Sequence, residues 1–200
     1  MGTLSMLPLD YIEFFIFLVL LCAVGFFSGR GERKTSADYF LAGRTLPWYV
    51  VGGSYVAANV STEHFVGLVG ASYIMGVVPA QAQWATSLVI LLIIFLFVPF
   101  LLKARITTIP EYLSRRFGSG TRLSFAVITV IANITIFMAA VMYAGGLALS
   151  AFFGWPLLWC IIGTGIFAGG WAVYGGLSTA AWTGLVTAVV KVGGVGLLTI

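Results

Sequence analysis

Asn59, Ser61, Thr62, Glu63 and His64 stand almost side by side in the middle of a stretch that is otherwise apolar enough to lie in lipid. This run holds the only histidine of the sequence and one of its six acids. Ionisable groups at membrane depth are costly unless a cavity or a partner receives them. Amide, hydroxyl and imidazole groups are directional donors and acceptors, the equipment needed to hold a polar solute. Gly52, Gly53, Gly67, Gly70 and Ser54 surround the run and disfavour a continuous helix, so a broken helix is expected. A break frees backbone carbonyls and half-helix ends, which bind hard monovalent cations and polar solutes inside membranes. Taken singly, Asn59, Ser61 and Thr62 fit ordinary hydrogen bonding between helices. Taken with Glu63 and His64 they read as a site.

Other chemistries find no support in the residue types. A zinc hydrolase of the HExxH type needs a second histidine, and the sequence has one. Gly175-Gly176 and Gly193-Gly194 lack the strand that a nucleotide-binding turn requires. No nucleophile or metal partner is evident, so an enzyme is not expected, although Glu63 with His64 is the pair an intramembrane enzyme would use. Cys22 and Cys160 fall in separate apolar runs and read as packing residues. Gln81 and Gln83 open another apolar run, where each can face either a cavity or lipid headgroups. Lys191, alone in an apolar run, either snorkels to the interface or pairs with an acid in the remainder of a longer parent protein. Ala140, Gly145, Gly146, Gly165 and Gly169 read as small-residue packing faces.

The elements that must carry these residues follow from composition. Of the 200 residues, 60% are hydrophobic and 8% charged, where a soluble domain carries about 25% charged residues. Mean hydropathy is +1.09. Only a bilayer suits such a surface. The net charge of +4 is not a nucleic-acid footprint, because nine of the ten cations lie in two stretches, Arg30 to Arg44 and Lys103 to Arg122. Six runs approach the roughly 20 residues that a span requires: Leu7–Gly29, Trp48–Val78, Gln81–Leu102, Leu123–Phe153, Leu157–Tyr174 and Thr183–Ile200. With the N-terminus outside, both cationic stretches fall inside, and the uncharged turns near Pro79 and Gly154–Pro156 fall outside. No cation precedes the first run, which therefore reads as a retained helix rather than a cleaved signal. Thr108, Pro110 and Glu111 form a helix start, and the short helix they open is expected to lie at the cytoplasmic interface. The apolar run that reaches Ile200 suggests a longer parent protein.

Several segments, in order, resemble the sodium/solute symporter family: DYFLAGRTLPW from Asp38, AANVSTEHFVG from Ala57, TIPEYLSRRFG from Thr108, YAGGLAL from Tyr143 and YGGLSTAAWT from Tyr174. The EHF after AANVS is similar to the sodium/glucose and sodium/galactose branch. The resemblance implies an all-α membrane protein of the LeuT type, with one extra helix over residues 7–29. Residues 48–200 would form the first five-helix inverted repeat, and the second span would be of the broken-helix type. It implies a single, partial transmembrane domain over 1–200, sodium as the coupled ion, and a small solute of the sugar class. It also implies that the carbonyls of Ala57 and Val60 hold sodium, completed by hydroxyls from a later helix, and that Asn59 and His64 touch the sugar. Gln83 stands where sugar carriers commonly have Glu and keeps an acceptor while losing charge. Ala82 replaces an aromatic, Phe137 stands where a bacterial galactose-carrying member has Asn, and Gly184 replaces an Asp linked to a second sodium site or an ion exit route. One sodium site is therefore expected. A symporter-like sensory membrane module of a signalling protein is the alternative from another functional class.

Overall fold

The computed structural model of the chain describes residues 8–30, 36–106 and 108–198, and the described residues are helical apart from short turns. Leu7, Arg33, Lys34 and Ile200, which belong to the expected first span, the first cationic stretch and the expected sixth span, lie outside the described residues. The helices are α1 (Pro8–Gly29), α2 (Ser36–Leu41), α3 (Trp48–Asn59), α4 (Val69–Met75), α5 (Val78–Lys103), α6 (Ile109–Phe117), α7 (Ser119–Phe153) and α8 (Leu157–Leu198). Four of them, α1, α5, α7 and α8, are long and apolar enough to cross a membrane. Leu88, Leu92, Phe95 and Leu96 of α5 are exposed, a surface suited to hydrocarbon or to apolar neighbouring helices.

The described residues pack into two compact units, one drawn from Met1–Thr62 and Met142–Ile200, the other from Glu63–Val141. In the first, α1 and α3 both pack on α8. Small residues set the close approach. Gly25 faces the indole of Trp171, Gly29 faces Tyr174, and Gly53 faces Leu185. Lipid gives no hydrophobic drive for helix association, so backbone proximity and van der Waals contact must supply it. Buried Thr179 donates to the Gly25 carbonyl at 3.3 Å, and Ser178 donates to the Ser28 carbonyl at 3.2 Å. Gly146 packs against Ile161 as a small-residue face should, whereas a Cβ added at Gly145 or Gly169 would meet no other helix within 4 Å.

The expected loop between Tyr174 and Thr183 is instead a one-residue kink within α8. Gly176 has φ 52° and ψ −151°, a conformation that side-chain-bearing residues rarely adopt. A Cβ there would also lie 2.6 Å from the Tyr39 carbonyl oxygen. Tyr39 of α2 donates its hydroxyl to the carbonyls of Ala172 and Val173, at 2.9 and 3.2 Å, and so ties α2 to the turn before the kink.

In the second unit, α5 and α7 each contain a wide π-turn, at Ile93–Phe97 and Asn133–Met138. A third π-turn, Glu63–Leu68, runs into α4. The expected capping box opens α6: the Thr108 hydroxyl accepts from the Glu111 amide at 3.3 Å, with Pro110 in the first turn. Arg115 pairs with Glu111 and donates to the Ala104 carbonyl at 3.0 Å, which holds α6 back against the end of α5. Thr108→Ala should cost about 1 kcal/mol of local helix stability. Hydrogen exchange over residues 109–113 of the purified protein should then run roughly fivefold faster, and unchanged exchange would show that the cap is dispensable.

Candidate functional site

The helix break lies where the polar run predicts it. Regular α3 stops at Asn59, and Val60 takes φ −97° and ψ 89°, outside helical values. Ser61 and Thr62 follow before the wide turn Glu63–Leu68 begins. Interruptions of this kind turn carbonyls away from the helix ladder, and π-turns often mark functional segments.

At the first-unit side of the break, the carbonyls of Ala57 and Val60 converge on one group. They accept hydrogen bonds from the Lys191 ammonium of α8, 3.1 Å from the Ala57 oxygen and closer still to that of Val60. Ala57, Val60 and Lys191 are all half-buried. Lys191 thus has main-chain oxygens as its partners here, an arrangement not among those read from the sequence. Among the described residues it meets no carboxylate, and its ammonium is turned into the fold. Asn59, one residue from these carbonyls, is exposed, and its side-chain amide donates to the Tyr55 carbonyl at 2.9 Å. That bond uses one donor and leaves the amide oxygen as an acceptor.

Beside the break, a cavity of about 390 Å³ runs between α3 and α8 and includes Ser54, Ala57, Trp171, Thr183, Gly184 and Thr187 in its lining. Its hydroxyls are turned back onto their own helices: Ser54 donates to Val51, Thr183 to Thr179 and Thr187 to Thr183. Their lone pairs remain available as acceptors. Gly184 sits where α3 comes closest. A Cβ added to it would lie 2.9 Å from the Ser54 Cβ and 3.0 Å from the Ser54 Cα.

The second unit brings His64 and Gln83 into one pocket of about 270 Å³, lined by Glu63, His64, Gly67, Leu68, Ala71 and Gln83. A carboxylate, an imidazole and an amide thus border one small volume, a set that can both donate to and accept from hydroxyl groups. Gln83 lies in the second turn of α5, which Pro79 opens. Among the described residues, no group of three His, Cys, Asp or Glu side chains is placed to chelate a metal.

These features agree with the outcome of comparison with known proteins. The pattern of the sodium:solute symporter family matches residues 39–200. The chain belongs to the sodium:solute symporter family. Among its relatives is a sodium/glucose cotransporter of Vibrio parahaemolyticus, 36% identical over 89% of this chain and 33% of the relative. The rat sodium/glucose cotransporter 2 is 34% identical over 96% of the chain and 29% of its own length. A mouse sodium/myo-inositol cotransporter 2 is 34% identical over 90% of the chain and 27% of its own length. The chain thus spans about a third or less of these curated relatives. They are carriers, not enzymes. Membership also makes this a multi-pass integral membrane protein, in keeping with its four long apolar helices.

Sequence reasoning did not assign Lys191 to the break. The signal was present, since Lys191 is the one cation of the ten outside the two clustered stretches, but its partners lie 131 and 134 residues away in the chain.

Proposed function

We propose that this chain is the leading part of a sodium-coupled symporter that carries a small polyhydroxylated solute of the monosaccharide class by alternating access. The observation that carries this reading is the family match over 39–200, with sugar and inositol cotransporters among the relatives, together with a helix break inside the matched region. In this reading α1 is the extra helix, with its N-terminus outside, and residues 48–200 are the first five-helix repeat of a LeuT-type core within one membrane domain. The kink at Gly176 divides α8 into the fifth and sixth spans, and Trp48–Val78 is the broken second span.

Sodium would bind at the carbonyls of Ala57 and Val60, and the solute would meet Asn59, His64 and Gln83. Carbonyl oxygens suit sodium, a hard cation, and the donors and acceptors of His64 and Gln83 suit hydroxyls. Sodium acts by binding the outward-facing state more tightly, which shifts the population toward the state that accepts solute. Coupling is therefore a difference in affinity between two states, and no covalent step is involved.

The test is uptake of radiolabelled glucose by the full-length protein in proteoliposomes, with an inward sodium gradient set against a potassium control. Accumulation that requires sodium is the expected result. If glucose, galactose and myo-inositol all fail to accumulate, or to alter sodium binding, the sugar-class reading falls.

A further inference from the structure

The carbonyls of Ala57 and Val60 already hold a cation. The Lys191 ammonium donates to both, 3.1 Å from the Ala57 oxygen, and no carboxylate among the described residues shares it. The half-buried lysine of α8 delivers a point charge with three donors, and two of those donors are spent on the oxygens that the helix break exposes. The arrangement is local to one compact unit and depends on the packing of α3 on α8 through Gly53, Leu185, Ser54 and Gly184.

A sodium ion bound by the same two oxygens would lie within a few ångströms of the ammonium nitrogen. Two like charges at that separation repel strongly when partly removed from water, so the pair of carbonyls accepts one cation at a time. We infer that Lys191 is a tethered cation at this site, and that sodium reaches Ala57 and Val60 only by displacing it. This rests on the reading of those carbonyls as the sodium site and adds a regulatory element to it. Lys191 fills the break with matching charge when sodium is absent and sets the sodium concentration at which the carrier engages. The intrinsic affinity of the carbonyl site is reduced by the fraction of time that Lys191 occupies it.

The experiment is a sodium titration of solute uptake by the full-length protein in proteoliposomes, wild type against Lys191→Met. Methionine preserves an unbranched apolar stem and removes the charge. K191M is expected to lower the half-saturating sodium concentration by tenfold or more. A wild type that ignores sodium beside a K191M variant that responds to it would support the same inference. A half-saturating concentration that is unchanged or higher in K191M, with uptake still sodium-driven, overturns the tethered cation and leaves sodium coupling standing. If neither protein responds to sodium, the sodium-coupled reading fails and the inference fails with it. Should K191M not reach the membrane, sodium-dependent thermal protection of purified wild type and Lys191→Gln gives the same comparison. Equal sodium midpoints in the two would overturn the inference.

Discussion

Gly184→Asp should leave the full-length protein markedly destabilised. In the interior of a helix, Gly→Ala normally stabilises by up to about 1 kcal/mol. At residue 184 the added Cβ would meet the Ser54 backbone of α3 at 3.0 Å, so the sign reverses. Overpacking of this kind costs about 1–3 kcal/mol, and a carboxylate forced between the helices without a partner adds more. The expected total for G184D is about 3 kcal/mol or more. Gly184→Ala should show the steric part alone, and Gly194→Ala, with open space around its Cβ, should be neutral or mildly stabilising. Thermal unfolding midpoints of the three purified variants decide the matter. If G184D were as stable as G194A, the close approach of α3 and α8 would not exist in the protein. Close packing against Ser54 thus disfavours the aspartate that the family resemblance leads one to expect here.

His64→Ala should raise the solute KM of uptake about tenfold or more at saturating sodium. Removing one partner from a buried hydrogen bond leaves the other unsatisfied and costs about 1–3 kcal/mol, and each 1.4 kcal/mol is roughly a factor of ten. Gln83→Ala should act in the same direction. Because the two side chains share one pocket, their effects should not add, and the double variant should fall short of the product of the single effects. Half-saturating sodium should move little in either. A KM within twofold of wild type in both variants would place the solute elsewhere.

The break was legible because composition declares it. A polar run inside an apolar stretch leaves few ways to continue a lipid-facing helix, and α3 does stop at Asn59, although Gly52, Gly53 and Ser54 lie within its continuous part. The start of α6 was legible for the same reason: Thr108, Pro110 and Glu111 act through neighbours three residues away. The assignment of Ala57 and Val60 could come only from resemblance, since the atoms proposed to bind sodium are backbone oxygens and any side chain could have carried them. Lys191 escaped assignment because its partners are distant in sequence and are also main-chain atoms. Gly53 and Gly184 matter only through what lies opposite, Leu185 and Ser54, and sequence does not display facing pairs. The π-turn in α5 left no trace in the pattern of apolar residues, because one extra residue per turn does not disturb a segment that is apolar on all sides.

The packing of α1 against α8 also sets a schedule. Ser28 and Ser178, joined by a hydrogen bond, are 150 residues apart. At about 5–20 residues per second a ribosome needs roughly 8–30 seconds to make the second after the first. α1 is therefore made well before the helix it packs on, and Gly25 and Gly29 can meet Trp171 and Tyr174 only once α8 has emerged. Whatever is made in the interval must leave that face of α1 open, so this contact belongs to a late step of assembly.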